Sequence, residues 1–451
     1  MKNNFDWAVI GGGFKGIVVA YSLAKSGQKV VLIETAQQLG GFFTPIKWGE
    51  FLLDRGPQFF DNFEKKDREL FDEMIGPDIL KDIGFSYKSH LAGITTDGFA
   101  IPDWRSKGGT LAQDAFAELL SSRINMSKVD NQTDDQNILS LDDLLLFEGS
   151  SVLYDELKAI SQKFLQHSPA DVSQLVSKMV TFCGRKVLLD RDVAIDLKKS
   201  PIIDGFLAAQ KMEVAEERFN LYPKGSSLEE IRTKMVSALN RVGVDIRVAC
   251  EINDLTSQIG QIRFTNGETV VADKIFMACD VRTSEKLLIG TDRLAERTHL
   301  LPEIFHCFAV PKSEIDECFY LVDYDVDHAS TRMTNFGNFI GSPESQDLGV
   351  VCVEQAIEKG SPQWDTPDLD QNKVFREAQL VGNIRSEKYS KAKSFRIPVT
   401  YKVPLVGIEK EVDYFMDQVQ SRFNDNIIVP DAYTLTRKEI LTDLRVLGFI
   451  E

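Results

Sequence analysis

A glycine-rich loop near the start of the chain has the spacing needed to hold a pyrophosphate. The segment GGGFKG fits the pattern GxGxxG, with its glycines at Gly11, Gly13 and Gly16 and with Phe14 and Lys15 between the last two. Gly11 allows a tight turn, Gly13 lets the backbone approach a pyrophosphate, and Gly16 lets a helix pack closely on a strand. The N–H groups of that helix's first turn attract phosphate. The pattern therefore predicts a dinucleotide site.

The flanking residues predict the elements that position this loop. The apolar run 7–10 predicts a buried strand, 17–25 predicts a helix that ends near Gly27, and 28–33 predicts a second strand. Glu34 then follows at about the distance expected of an acid that accepts hydrogen bonds from ribose hydroxyls. A carboxylate there disfavours the 2′-phosphate of NADP, but it does not separate FAD from NAD.

The next segment separates these two cofactors. It contains a Gly-Gly pair, a threonine, and then an ordered set of residues: Gly40, Gly41, Thr44, Gly49, Asp54, Gly56 and Pro57. This order resembles the flavoprotein superfamily that includes amine oxidases, protoporphyrinogen oxidase, phytoene desaturase and UDP-galactopyranose mutase. Glycine is needed where backbone passes directly against the cofactor. The resemblance implies FAD, contacted within this segment by Gly40, Gly41, Phe42, Phe43, Thr44, Gly56, Pro57, Gln58 and Phe59.

A second stretch agrees with this resemblance. Residues 221–227 resemble the superfamily's Y-P-x-G-G segment, and Ser227 with Glu230 predicts a helix start directly after it. A hairpin with Asn-Gly at its turn follows at 266–267. The resemblance implies that the backbone of Ile252 touches adenine and that the small side chain of Ala278 lets the cofactor pass.

Two positions depart from the superfamily pattern. Phe42 stands where arginine or asparagine is usual, and an arginine there would help to hold phosphate. A strand predicted at 426–429 normally runs into a glycine-containing motif that meets the flavin phosphates, whereas this chain has Pro430 and Asp431. Asp431 is the candidate to replace the superfamily's acid, and both departures imply altered cofactor contacts.

The order of elements predicts an α/β fold, α+β overall, with a Rossmann-type FAD-binding domain of the glutathione-reductase-like class. That domain is predicted to be discontinuous, over 1–95, 215–295 and 395–451. The remaining segments, 96–214 and 296–394, would form a mixed α+β substrate domain.

Periodicity adds detail to this division. The apolar spacing predicts helices within 139–180 and over 408–423, and alternation predicts strands within 303–355. The polar stretch 126–137 predicts a loop.

Composition excludes several classes of protein. Lys+Arg 52 against Asp+Glu 68 gives a net charge of −16, which disfavours nucleic acid as a partner but leaves room for a local pocket for an anionic substrate. The six cysteines form no CxxC pair and the five histidines have no metal-ligand spacing, so neither a disulfide framework nor a metal site is predicted. No signal peptide or transmembrane stretch is visible, and the prediction is a cytoplasmic protein that could form a homodimer.

The chemistry follows from the resemblance, because a flavin performs the redox step and the protein positions the substrate. Similarity is greatest to the branch containing the mutase, which makes Gln58 and Arg332 the candidates for catalysis. Gln58 replaces the mutase histidine and cannot act as a base, whereas Arg332 could bind a phosphate or carboxylate. We therefore expect an FAD-dependent oxidoreductase that takes hydride from a small polar substrate, for example an amino sugar or nucleotide sugar of surface-glycan biosynthesis. A mutase-like enzyme without net redox and a degenerate, non-catalytic homologue remain alternatives.

Overall fold

A computed structural model describes residues 4–84, 86–128, 139–209, 218–224, 227–255, 260–340, 347–431 and 436–451. The fold is mixed α/β and divides into two compact units, each made of separate segments. Unit 1 comprises Met1–Gly84, Glu216–Glu296 and Ile408–Glu451, and unit 2 comprises Phe85–Ala215 and Arg297–Gly407. Among the described residues, no helix is long and apolar enough to cross a membrane.

The strands, in chain order, are β1 Asn4–Ile10, β2 Val30–Ile33, β3 Ile46–Trp48, β4 Phe51–Leu53, β5 Phe60–Phe63, β6 Leu80–Asp82, β7 Tyr87–Leu91, β8 Ile94–Asp97, β9 Phe219–Pro223, β10 Asp245–Arg247, β11 Ile252–Asp254, β12 Gln261–Phe264, β13 Thr269–Met277, β14 Thr298–Pro311, β15 Tyr320–Asp323, β16 Arg332–Asn335, β17 Leu348–Ala356, β18 Lys391–Pro404 and β19 Ile427–Ile428.

The α-helices, in chain order, are α1 Phe14–Lys25, α2 Lys65–Ile75, α3 Leu111–Lys128, α4 Leu141–Gly149, α5 Tyr154–Leu165, α6 Arg191–Leu197, α7 Pro201–Asp204, α8 Leu228–Arg241, α9 Val281–Ile289, α10 Arg293–Glu296, α11 Pro362–Asp365, α12 Gln371–Leu380, α13 Ile408–Phe423 and α14 Arg437–Val446.

Unit 1 is built on a sheet in the order β10-β2-β1-β13-β12-β11, with β19 also paired to β13. The pairs β10–β2, β2–β1, β1–β13 and β13–β19 are parallel, and β12 and β11 extend the sheet in antiparallel fashion. All four residues of β2 are buried, as expected of a parallel strand covered on both faces. Because β1 lies between β2 and β13, the loop after β1 lies at the carboxyl ends of these parallel strands, where α/β proteins bind ligands.

Unit 2 is built on a sheet in the order β18-β14-β17-β16-β15-β7-β8. Apolar side chains of α3, α4 and α5 form one core cluster with residues of this sheet, for example Val322 and Val403. A second cluster joins α12 to β14 and β17, where Phe308 and Val351 are fully buried. The strands predicted within 303–355 are therefore confirmed as part of this sheet.

Several predicted bounds differ from the structure. Residues 85–95 and 395–407, which were assigned to the nucleotide-binding domain, lie in unit 2 because β7 and β18 pair with its strands. The predicted loop 126–137 is wrong at its start, since α3 continues to Lys128, and its remainder lies outside the described residues. The Asn-Gly hairpin is confirmed between β12 and β13.

Candidate functional site

The three glycines of the loop after β1 have different steric surroundings. A Cβ on Gly16 would lie 1.9 Å from the carbonyl oxygen of Gly11, so α1 packs too closely for any side chain there. Gly11 has φ +109°, and its Cβ would lie 2.8 Å from the backbone nitrogen of Cys279. A Cβ on Gly13 meets no described atom within 4 Å, so the backbone at Gly13 borders open space. This arrangement fits the close approach of a pyrophosphate to the start of α1.

Glu34 lies at the carboxyl end of β2 and is held against the same loop. Its Oε2 accepts the backbone N–H of Gly12 at 2.6 Å, and its Oε1 accepts the N–H of Ala36 at 2.8 Å. Oε1 also accepts the hydroxyl hydrogen of Thr35 at 3.2 Å, so the remaining lone pair of the carboxylate is on Oε2. The side chain can therefore still accept a hydrogen bond from a ribose hydroxyl, as its spacing predicts.

The Gly40-Gly41 pair lies next to Gly13. The N–H of Gly40 donates to the carbonyl oxygen of Gly12 at 2.8 Å, and a Cβ on Gly41 would lie 3.4 Å from the Cα of Gly13. Gly40 has φ +122°, and its Cβ would lie 2.6 Å from Cγ of Arg232 on α8. Two segments that are 24 or more residues apart are thus adjacent, and the Cβ positions of Gly13 and Gly41 meet no side chain within 4 Å.

Ala278 follows β13, the strand next to β1, whereas Ile252 lies on β11 at the edge of the same sheet. Ala278 directly follows β13, and its Cβ would lie 3.1 Å from a Cβ on Gly16, so its small size suits the close packing there. Ile252 begins β11, two residues after Cys250, whose N–H donates to the carbonyl oxygen of Glu34 at 3.1 Å.

A cluster of phenylalanine rings packs beside the loop, and it includes Phe14, Phe43, Phe60 and Phe71. The rings of Phe14 and Phe71 are stacked with centroids 5.8 Å apart, and Phe43 lies 6.0 Å from Phe14. Phe60 packs against Phe71 at 5.0 Å. Phe43 is buried, whereas Phe42 is 54% exposed. The residue that replaces the usual arginine or asparagine therefore offers an exposed apolar ring and no charge for phosphate.

Arg437, which the sequence-based prediction of the site missed, places a cation on this aromatic cluster. Its guanidinium carbon lies 4.9 Å from the ring centroid of Phe43 and 5.0 Å from that of Phe60, within cation–π range. The group also donates to the carbonyl oxygen of Phe59 and to Oε1 of Gln58, each at 2.7 Å. Burial lowers the pKa of Arg437 to about 10, which still leaves the side chain charged at neutral pH.

Gln58 is therefore a hydrogen-bonded part of the chain and not a free polar group. Its Oε1 accepts from Arg437, and its Nε2 donates to the carbonyl oxygen of Arg55 at 2.9 Å. Gly56, between them, has φ +80°, which allows the chain to turn before Pro57. In this arrangement, Gln58 orients Arg437.

Asp54 connects the two segments on which the resemblance rests. Tyr222 on β9 donates its hydroxyl hydrogen to Oδ2 of Asp54 at 2.5 Å, and the N–H of Leu228 donates to Oδ1 at 3.3 Å. Burial raises the pKa of Asp54 to about 6, and the hydrogen bonds from Tyr222 and Leu228 oppose that rise. Asp54 thus holds the strand with Tyr222, and the start of α8 capped by Ser227, to the segment that ends at Gly56.

Lys15 and Asp431 bring the C-terminal segment to the glycine loop. The Nζ of Lys15 lies 3.5 Å from the carbonyl oxygen of Asp431. Burial lowers the pKa of Lys15, while the carboxylates of Asp443 and Asp431 act to raise it. The predicted departure at Pro430-Asp431 therefore lies next to the first turn of α1, although residues 432–435 are outside the described part of the chain.

Arg332, the other predicted catalytic residue, begins β16 in unit 2 and is paired with a buried carboxylate. It donates to both oxygens of Glu354, at 2.6 and 3.1 Å, and its Nη1 lies 3.5 Å from Oη of Tyr401. Glu354 is 1% exposed. The charge of Arg332 is therefore already compensated within the unit, in the bidentate geometry that arginine favours.

Glu303 on β14 lies beside this pair. Burial raises the pKa of Glu303 to about 8, and the neighbouring Glu354 adds to that rise, whereas Arg332 lowers it. Its Oε2 has no hydrogen-bond partner among the described residues. Glu303 is therefore largely protonated at neutral pH.

A Glu303→Gln substitution is expected to stabilise the chain increasingly as the pH rises. A carboxyl group whose pKa is higher in the folded than in the unfolded chain stabilises the folded chain at pH values below the unfolded-state pKa. This contribution is lost as the pH rises through the folded-state pKa of about 8. Relative to the variant, the wild type should therefore lose at least about 1 kcal/mol between pH 5 and 8. Thermal unfolding of both chains at each pH measures this, with the exposed Glu358→Gln as a control. A difference that is constant with pH would contradict the assignment.

Comparisons with known proteins agree with this geometry. Residues 9–74 match the family model of an NAD(P)-binding Rossmann-like domain. Over 74 residues the chain is 31% identical to a Dictyostelium discoideum protein described as a probable flavin-containing monoamine oxidase A, and this match spans 16% of either chain. The prediction of a Rossmann-type domain in this chain is therefore confirmed, as is its resemblance to the flavin-containing amine oxidases.

Solved structures share the fold over nearly the whole chain. A reduced UDP-galactopyranose mutase aligns with a TM-score of 0.71 and 14% identity, covering 98% of this chain and 94% of that one. A putrescine oxidase bound to putrescine aligns with a TM-score of 0.63 and 12% identity, covering 99% and 98%. At these identities the likeness is one of fold.

Sequence reasoning missed Arg437, Tyr222 and the buried Glu303. One signal was available for Arg437: Thr436 and Glu439 have the T-x-x-E spacing of a capping box, and they cap the start of α14 in the structure. Tyr222 lies in the segment 221–227, to which the resemblance assigns no role for a tyrosine side chain. Nothing in the local sequence marks Glu303, since its burial depends on strands that come from distant parts of the chain.

Proposed function

We propose that this chain is an FAD-dependent oxidoreductase, with unit 1 as an FAD-binding domain of the glutathione-reductase-like class and unit 2 as the substrate domain. The proposal rests chiefly on the open space at Gly13, next to Gly41, and on the carboxylate of Glu34, which is held against Gly12. FAD is the cofactor that the amine oxidase match supports. When bound, it would supply a two-electron acceptor for hydride.

The protein's own residues would bind and orient that cofactor. Backbone N–H groups at the start of α1 would meet the pyrophosphate, and Glu34 would accept the ribose hydroxyls. Lys15 offers a cation in the first turn of the same helix. Arg437, fixed on Phe43 and Phe60, supplies a second positive charge, held by hydrogen bonds to the segment that follows Gly56.

For the substrate we propose a small polar molecule whose C–N, C–O or C–C bond is oxidised by loss of hydride. An amino sugar or nucleotide sugar of surface-glycan biosynthesis is our preferred example. An anionic substrate, a cytoplasmic location and a homodimer stay predictions.

A mutase-like enzyme without net redox is the second candidate, favoured by the fold match to UDP-galactopyranose mutase over 98% of the chain. Such an enzyme would need a reductant for turnover and would leave the oxidation level of its substrate unchanged. Against it stands Gln58, which is engaged by Arg437 and cannot serve as a base.

An absorption spectrum of the purified full-length chain tests the proposal first. We expect a flavin spectrum and release of FAD on denaturation, in about one equivalent per chain. We then expect candidate amines, amino sugars or nucleotide sugars to bleach that spectrum without oxygen. Turnover only after chemical reduction, with an isomeric product, would favour the mutase-like alternative. A colourless protein that does not bind added FAD would identify a degenerate homologue and overturn the proposal.

A further inference from the structure

We propose that His90, Asp323 and His328 of unit 2 form a site for a divalent transition-metal ion of the zinc class. One nitrogen or oxygen of each side chain lies within 4.8 Å of the others. Two imidazoles and a carboxylate are a ligand set that Zn²⁺ accepts. Bonds of about 2.0–2.2 Å would place the ligand atoms roughly 3.3 Å from one another. Ligand atoms that are now up to 4.8 Å apart would have to move closer, whereas Nδ1 of His328 and Oδ2 of Asp323, now 2.8 Å apart, would have to separate slightly.

The sheet of unit 2 brings these residues together. The strands β7 and β15 run parallel, and His90 and Asp323 are direct partners across them. Their side chains therefore leave the same face of the sheet. The N–H of Tyr324 donates to the carbonyl oxygen of His90 at 2.8 Å, and the following loop returns His328 to the cluster before β16 begins.

The hydrogen bonds of His90 determine which of its nitrogens is available as a ligand. Thr95 donates its hydroxyl hydrogen to the carbonyl oxygen of Val381 at 2.8 Å. The threonine oxygen, 2.8 Å from Nδ1 of His90, must then accept from that nitrogen. The hydrogen of a neutral His90 therefore resides on Nδ1, which leaves a lone pair on Nε2. A ligating histidine whose other nitrogen donates to a fixed acceptor is the usual arrangement at metal sites.

The carboxylate of Asp323 is oriented in a similar way. Ser330 donates to its Oδ2 at 2.7 Å, and the N–H of Asp325 donates to its Oδ1 at 3.1 Å. The Nδ1 of His328 lies 2.8 Å from Oδ2, a contact that shares one hydrogen. A metal ion would replace that hydrogen, which would leave to solvent as a proton. Such supporting bonds hold a ligand in place before the ion arrives.

The charges around the cluster do not oppose a dication. Lys163 is the nearby cation, and its Nζ is bound to the carbonyl oxygens of Asp323 and Asp325, at 2.8 and 2.7 Å. Glu377 adds a buried carboxylate, whose partner Lys373 is 3.9 Å away and 56% exposed. With the side chain of Asp325, three carboxylates therefore lie near the two ammonium groups of Lys163 and Lys373. The side chain of His328 is 18% exposed, which provides a path for entry, while that of Asp323 is fully buried.

Metal binding by the full-length, tag-free chain tests this proposal. After treatment with a chelator and dialysis, we expect the protein to take up one equivalent of Zn²⁺ by elemental analysis. Co²⁺ as a probe should give visible d–d absorption bands that saturate at one equivalent. The His328→Gln and His90→Gln variants should each lose this uptake, and Thr95→Val should weaken it about 10- to 100-fold, because it removes the acceptor that fixes His90.

The chain offers a matched control in another histidine pair. His167 and His299 have stacked rings with centroids 5.0 Å apart, and they belong to no group of three ligand-type residues in the described part of the chain. His299→Gln should therefore keep one equivalent of metal. Circular dichroism checks that each variant is folded, and His328, whose side chain is 18% exposed, is the safer of the two ligand substitutions because His90 is buried. The proposal is overturned if the wild type takes up no stoichiometric metal, or if folded His328→Gln binds as the wild type does.

Discussion

Gly13→Ser is expected to leave the chain folded and to weaken FAD binding by about ten- to a hundredfold. The side chain would enter space that holds no described atom, so the protein itself accepts it. Serine is also a favourable residue at a helix N-cap, where its oxygen bonds the N–H groups that would meet phosphate. Steric overlap between the serine side chain and the cofactor would cost about 1–3 kcal/mol of binding free energy. This cost corresponds to the stated loss in affinity. Equilibrium titration with FAD and thermal unfolding measure the two effects separately.

Gly16→Ala is the matched control for this experiment. Its Cβ would lie 1.9 Å from the carbonyl oxygen of Gly11, so the loop itself must distort. We expect this variant to lose both thermal stability and FAD, whereas Gly13→Ser should lose only FAD. Unchanged FAD affinity in Gly13→Ser would show that the open space over this loop is not where the cofactor lies.

Arg332→Met is expected to lower the free energy of unfolding by about 3–5 kcal/mol, because it leaves the buried carboxylate of Glu354 without its partner. Urea denaturation monitored by near-ultraviolet circular dichroism measures the change. The surface pair Arg185 and Asp204 offers a control in the same unit, since both side chains are more than 40% exposed. Arg185→Met should change stability by about 1 kcal/mol or less.

The double variant Arg332→Met/Glu354→Met distinguishes a charge-pair effect from a packing effect. Removing both partners leaves no uncompensated charge, so most of the stability should return. A double variant as unstable as Arg332→Met alone would mean that the arginine contributes through packing. If Arg332→Met is as stable as the wild type, the pair does not have the role assigned to it here.

The nucleotide-binding part of unit 1 was largely predictable. Within about thirty residues the chain contains, in order, the glycine loop, α1, β2 and Glu34. The spacing of these elements predicts the role of each. The structure adds that Gly13 borders open space and Gly16 does not. The cofactor contacts of Phe42 and Asp431 stay predictions, although their positions are now known.

The unit boundaries and the burial of charged residues were harder to predict from the sequence. The breaks at 95 and 395 were misplaced because β7 and β18 pair with strands of unit 2, and strand pairing leaves no mark at the boundary itself. Arg332 was identified as a candidate, but its bidentate partner Glu354 lies on another strand. A sequence shows that a residue is charged, whereas its burial and its partner depend on register across the sheet.

The sequence by itself was enough to identify the dinucleotide-binding loop. A tight turn requires glycine at particular positions, and these positions lie only a few residues apart in the chain. It gave no sign of the cluster of His90, Asp323 and His328, since no two histidines have metal-ligand spacing along the chain. Only the tertiary structure joins them, by pairing β7 in parallel with β15, more than 200 residues later. Local backbone geometry is encoded by neighbouring residues, while a side-chain site assembled across a sheet is decided by which strands meet and in what register.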